Sequence, residues 1–94
     1  MYAVVFTSVL SEDHDGYDVA SERMVELCRD QPGFVSVDSV RGADGRGITV
    51  CRWESLEAIA AWRAHAEHAE AQRQGAERWY AQYDLMVCEV LDAP

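Results

Sequence analysis

The chain has no lysine. All eight of its cationic side chains are arginines, scattered against 17 acidic residues, for a formal net charge of −9 and a pI near 4.5. A surface of that sign repels a phosphate backbone unless basic residues are concentrated somewhere, and here they are not. Nucleic acid and anionic membranes are therefore not expected partners. Nor does the acidity select a cationic ligand, because a large net charge of one sign mostly reports on solubility.

Long apolar runs are missing too: none approaches the ~20 residues of a membrane span. The stretch MYAVVFTSVL has no basic leader and no small-residue cleavage site. It runs straight into SEDHDG, so it reads as a strand and not as a signal peptide. Cysteine is sparse. Cys28, Cys51 and Cys88 are odd in number, widely spaced and without a C-x-x-C. Each sits among apolar neighbours, as reduced core thiols of a cytoplasmic protein would.

Several chemical motifs are also absent. GADGRG joins two strand-like runs and precedes no helix, which removes a nucleotide-binding loop. No H-E-x-x-H, no Ser-His-Asp ordering and no evident Cys–His pair is present. What remains is a chain of 94 residues, 49% hydrophobic, read as a single domain over 1–94. A domain this small leaves much surface open and gains from oligomerisation.

Tyr2–Leu10 is rich in β-branched and aromatic types and predicts a first strand. From Tyr17 to Arg29, Val19, Met24, Val25, Leu27 and Cys28 recur at helical spacing. Pro32 and Gly33 end that helix. FVSVDSVRG (34–42) and ITVCRW (48–53) flank Asp44-Gly45 and predict an antiparallel hairpin. Ser55 is a plausible N-cap for a second helical region that ends near Gly75, with or without a break on the way. YDLMVCEVL (83–91) supplies a fourth strand, and the tail 92–94 is expected to fray.

The order is βαββαβ. That is the ferredoxin-like α+β arrangement, a four-stranded antiparallel sheet with two helices on one face. Yet the first and fourth strands are apolar on both faces, where a one-sided sheet should alternate with polar residues. A second copy could cover the bare face, so an isologous homodimer with sheets packed face to face is expected. The alternative is a single open sheet that takes a flat ligand or another protein. Arg52 shares a face with Ile48 and Val50 and needs a carboxylate, for which Asp38 is a candidate.

Particular residues carry a family resemblance. They are Trp53, Ser55–Ala58, Trp62, His65, Glu67-His68, Ala71-Gln72 and Trp79-Tyr80, with Pro-Gly-Phe entering the second strand. The chain resembles the antibiotic biosynthesis monooxygenase-like (ABM domain) family of the dimeric α+β barrel superfamily. The resemblance implies a fold, a dimer and a pocket between helices and sheet, but not one reaction. The superfamily includes quinone-forming monooxygenases that use neither metal nor flavin, haem-degrading enzymes, isomerases and members without assigned activity. Haem-degrading relatives combine an Asn on strand one, a helical Trp and a His further along that helix. Here strand one has no Asn, and Ala71 and Gln72 stand where that His would be. Haem binding is therefore a distant third.

The stretch WRAHAEHAEAQ (62–72) holds two of the three histidines. On one continuous helix with Trp62 at zero, His65 lies ~60° away, at the edge of the buried stripe marked by Trp62, Ala66 and Ala69. His68 lies ~120° away on the same side, with Gln72 between the two. His65 is then a satisfied boundary residue, a general base facing the pocket, or a metal ligand. A histidine pKa near 6.5 suits a base at neutral pH, while a zinc site would need a third protein ligand. His68 falls at the rim and is the alternate base. Trp62, Tyr83, Trp53 and Gln72 are the expected substrate-binding residues, and His14 is expected at the surface. The function expected is cofactor-independent oxygenation of a hydrophobic phenolic or quinol molecule. The other reading is a binding or accessory dimer of the same fold without chemistry.

Overall fold

Nine residues of mainly β-branched and aromatic character, Tyr2–Leu10, form β1 at the centre of the sheet. The computed structural model describes residues 1–91. After β1 come α1 (Tyr17–Arg29), β2 (Phe34–Arg41), β3 (Arg46–Trp53), α2 (Leu56–Ala64) and α3 (Ala66–Gln74). A π-helical turn (Gly75–Trp79) leads into β4 (Tyr80–Glu89). The strands are antiparallel in the order β2-β3-β1-β4, the expected ferredoxin-like sheet. The tail 92–94 lies outside the described residues.

Helix α1 has the limits its periodicity predicts, and Asp30 caps it just before Pro32. Ser55 also behaves as expected: its Oγ accepts from the backbone N–H of Ala58 at 3.1 Å and starts α2. The fourth strand begins earlier than its β-rich run suggests. Ser11 N–H donates to the Trp79 carbonyl at 2.7 Å, and a bulge between Val9 and Leu10 brings Tyr80 beside Leu10.

The second helical region is two helices. The backbone leaves the helix at His65 (φ −59°, ψ 129°) and re-enters it at Ala66. Ala69, expected in the buried stripe, is exposed on α3.

Register sets the two faces of the sheet. Val37 lies beside Cys51, Cys51 beside Val4, and Val4 beside Val87, one row of side chains beneath the helices. On this side Cys28, Cys51, Ile59 and Trp62 pack around Trp53, which is fully buried. Phe34 meets Trp53 edge-on at 5.8 Å.

The other face carries the row Val50, Val5 and Met86, with Ile48 and Val40 nearby. Ile48 is 49% exposed and Met86 52%, so this is the bare apolar face that the strand pattern anticipates. Arg52 Nη1 donates to Ser36 Oγ at 3.2 Å and lies 3.5 Å from Asp38, the expected cross-hairpin pairing. Among the described residues, no helix is long and apolar enough to cross a membrane.

Candidate active site

A cavity of about 200 Å³ lies between the helices and the sheet. Val4 and Phe6 of β1, Cys51 and Trp53 of β3, and Leu85 and Val87 of β4 make its floor. Met24 and Cys28 of α1, Trp62 of α2, and His68 and Gln72 of α3 line it from the helix side. The lining is thus largely apolar and aromatic with a few polar groups, the usual make-up of a small-molecule site.

The break at His65 decides which histidine reaches this cavity. The ring of His68 lies over Trp62, with centroids 4.2 Å apart and planes 11° from parallel. Its Nδ1 is 3.0 Å from the Trp62 carbonyl oxygen. A carbonyl only accepts, so Nδ1 carries the proton and the neutral ring keeps its lone pair on Nε2. Burial holds the His68 pKa below its ordinary value. The Trp62 carbonyl opposes that shift, and the charges of His65 and Arg63 add to it. At neutral pH the group is an uncharged imidazole with a fixed tautomer, and its basic nitrogen makes no hydrogen bond among the described residues.

His65 is placed otherwise than the single-helix wheel predicts. It is half-buried, its ring is tilted 45° to Trp62 at 5.6 Å, and it does not line the cavity. Its Nδ1 accepts from the backbone N–H of Glu67 at 3.3 Å, capping α3. The reason is geometric. A wheel assumes an unbroken 3.6-residue repeat, and the extended ψ at His65 resets the phase for everything after it.

Trp53, Trp62 and Gln72 lie in the cavity lining. Tyr83 does not: it is 56% exposed, with its ring 6.3 Å from Phe6. Tyr80 takes that place, edge-on to Phe6 at 5.2 Å and to Tyr17 at 5.9 Å. His14 is exposed, with Nδ1 2.6 Å from the Ser11 carbonyl.

Trp79 and Tyr80 pack against Tyr17 of α1, as their aromatic character suggests, but sequence reasoning did not place Tyr17 and Tyr80 in the cavity lining. Trp79 packs edge-on to Tyr17 at 5.9 Å and donates its indole N–H to the Asp15 carbonyl at 3.0 Å. Behind Tyr17, Arg41 donates to the Tyr17 hydroxyl at 2.9 Å, to Ser8 Oγ at 2.8 Å and to the Gly45 carbonyl at 2.6 Å. Its guanidinium also lies 4.9 Å from the Tyr17 ring centroid, a cation–π contact. Burial, helped by Tyr17, pushes the Tyr80 phenol above its ordinary pKa and keeps it protonated. No spacing in the sequence announces that Tyr17 and Arg41 meet.

Among the described residues, no three His, Cys, Asp or Glu side chains converge as a metal-ligand group. Residues 1–74 match the family model described as antibiotic biosynthesis monooxygenase. The chain belongs to that family. It is 54% identical over 89 residues to the uncharacterized protein YqjZ of Bacillus subtilis, covering 95% of this chain and 78% of that one.

The fold of this family member is similar to that of Rv0793 from Mycobacterium tuberculosis. The TM-score is 0.86 at 20% identity, over 98% of this chain and 96% of that one. It is also similar to SnoaB, a cofactor-independent oxygenase from Streptomyces nogalater, with a TM-score of 0.82 at 13% identity over 98% and 94% of the two chains. At such identities these two likenesses bear on the fold alone. Membership supports a monooxygenase-like role in general terms, while substrate and residue roles are matters of the site itself.

Proposed function

We propose that this ABM-family protein is a cofactor-independent monooxygenase that converts a compact phenol to a quinone, with His68 as the base. The observation that carries this reading is His68 in the cavity wall, with Nδ1 committed to the Trp62 carbonyl, Nε2 without a hydrogen bond among the described residues, and burial favouring the neutral ring. Nε2 takes the phenolic proton, and the resulting phenolate is electron-rich enough to react with dioxygen at a ring carbon. A C–O bond forms there, and loss of water leaves the quinone. In balance, one phenol with a free ring position and one dioxygen give one quinone and one water. Trp62 and Trp53 flank the substrate, and Gln72 and Tyr80 supply hydrogen bonds. His65 supports the site as the cap of α3.

The cavity of about 200 Å³ is below the usual range of roughly 300–1,000 Å³ for ligand pockets. It favours a one- or two-ring aromatic over a larger polycycle. The proposed assembly is an isologous homodimer through the open sheet face, since exposed Val40, Ile48 and Met86 make that face apolar. The proposed setting is the cytoplasm, whose reducing poise suits three free thiols.

The test is oxygen consumption with one- and two-ring phenols, alongside quinone absorbance. The expected result is equal amounts of oxygen consumed and quinone formed, with His68→Gln slowing turnover by roughly 10²–10⁴-fold. Ligand-dependent quenching of tryptophan fluorescence without oxygen consumption would support the other reading, a binding dimer without chemistry.

A further inference from the structure

Cys28 lies in the last turn of α1, and Cys51 lies two residues before the end of β3, 23 residues away in sequence. Their Sγ atoms are 3.4 Å apart. Both residues are buried, at 4% and 8% exposure, and both line the cavity. Nothing in the proposed oxygenation uses them. Beside them, the Trp53 side chain is fully buried, and its indole N–H has no hydrogen-bond partner among the described residues. A buried donor without a partner is costly, and it finds one if the neighbouring sulfur becomes a thiolate.

We propose that Cys28 and Cys51 form a reversible dithiol/disulfide site in the cavity wall, oxidised by hydrogen peroxide. Cys51 is the attacking sulfur. The Cys28 thiol and the Trp53 indole both favour its thiolate and hold its pKa below the ordinary value, against the effect of burial. Cys28 is pushed the other way, by its bond to Cys51 and by burial, and keeps its proton. The Cys51 thiolate attacks one peroxide oxygen, the O–O bond breaks, and Cys51 becomes a sulfenic acid as hydroxide leaves. Cys28 sulfur then attacks Cys51 Sγ. The S–O bond breaks, the S–S bond forms, and the Cys28 proton leaves with the second hydroxide as water. In sum, two thiols and one peroxide give one disulfide and two waters, with sulfur oxidised and peroxide reduced by two electrons.

The sulfurs must close from 3.4 Å to the bond length of about 2.05 Å. That draws the end of α1 toward β3 across one side of the cavity, so the oxidised form holds a differently shaped pocket.

The experiment uses the full chain carrying Cys88→Ser, which removes the third thiol, with the unsubstituted chain alongside. Folded protein is treated with hydrogen peroxide, alkylated and digested without reductant, and the intact mass is followed. The expected result is a loss of two hydrogens and a linked Cys28–Cys51 peptide, both reversed by dithiothreitol. In Cys28→Ser the reaction should stop at Cys51 sulfenic acid, captured by dimedone. Absence of the linked peptide from folded protein, or its formation only after denaturation, overturns the proposal. So does dimedone capture at Cys88 of the unsubstituted chain with Cys28 and Cys51 left unmodified. The peptide map needs no substitution in the pair, so a variant that fails to fold does not decide the result.

Discussion

The imidazole of His68 stacks on the indole of Trp62 at 4.2 Å and binds the carbonyl of that same residue at 3.0 Å. One residue thus sets both the plane and the tautomer of the ring. If His68 is the base, His68→Gln should keep the fold yet lose roughly 10²–10⁴-fold in turnover. His65→Ala should do the reverse, removing the cap of α3 at a cost of ~0.5–2 kcal/mol while most turnover persists. Oxygen consumption and melting temperature on both variants give the comparison. A His65→Ala variant that melts like the parent but consumes no oxygen would hand the role back to His65.

The depressed pKa of His68 fixes two pH limits with one sign. Catalysis needs the neutral ring, so the acid limb of kcat/KM should fall below the ordinary histidine value of about 6.5. Stability moves in the same direction. Below about pH 6.5 the unfolded chain takes up a proton that the buried His68 resists, so stability drops as pH falls toward the folded-state pKa. His68→Gln lacks this component, and its melting temperature should change less between pH 7 and pH 5. A separate loss is expected below about pH 4.5. There the unfolded chain takes up protons that Glu67 and Glu70, held below the usual carboxylate range by Arg23 and Arg73, resist in the fold.

The contrast between the two histidines shows where sequence reading stops. Helix α1, the hairpin and the sheet order follow from local signals: apolar spacing, Pro32, Asp44-Gly45 and β-branched runs. RAHAEHAE contains no glycine or proline, so nothing local marks the break at His65. Tertiary contacts accompany it, including the Arg23–Glu67 pair at 3.1 Å that ties α1 to the start of α3. The Cys28–Cys51 pair and the Tyr17–Arg41 contact are hidden for a related reason. Each depends on how far α1 slides along the sheet, and no periodicity encodes that distance.

The open sheet face yields a prediction about assembly. Ile48 is 49% exposed and lies opposite Val40 and Thr7, on the face away from the helices. Ile48→Glu would set a carboxylate in the centre of a face-to-face interface, where an unpaired buried charge is strongly unfavourable. Light scattering should report a dimer for the parent chain and a monomer for the variant, with the far-ultraviolet dichroism unchanged. A parent chain that scatters as a monomer at micromolar concentration would sink the dimer.

Gly33 and Gly16 test how closely α2 seats against the strand entrance. Both have φ near +85°, a left-handed conformation that costs a residue with a Cβ roughly 1–2 kcal/mol. Their surroundings differ. A Cβ at Gly16 would meet nothing within 4 Å, whereas one at Gly33 would lie 2.6 Å from the Ala58 Cβ of α2. The Gly33 carbonyl also accepts from Glu54 N–H at 2.8 Å, so the backbone there has little room to retreat. Gly16→Ala should therefore show the conformational cost alone. Gly33→Ala should add an overpacking cost of about 1–3 kcal/mol and push α2, with Trp62, away from the cavity. Chemical denaturation of the two variants measures the difference. Equal losses would mean that the contact between the 30–33 turn and α2 is looser than the 2.6 Å approach implies.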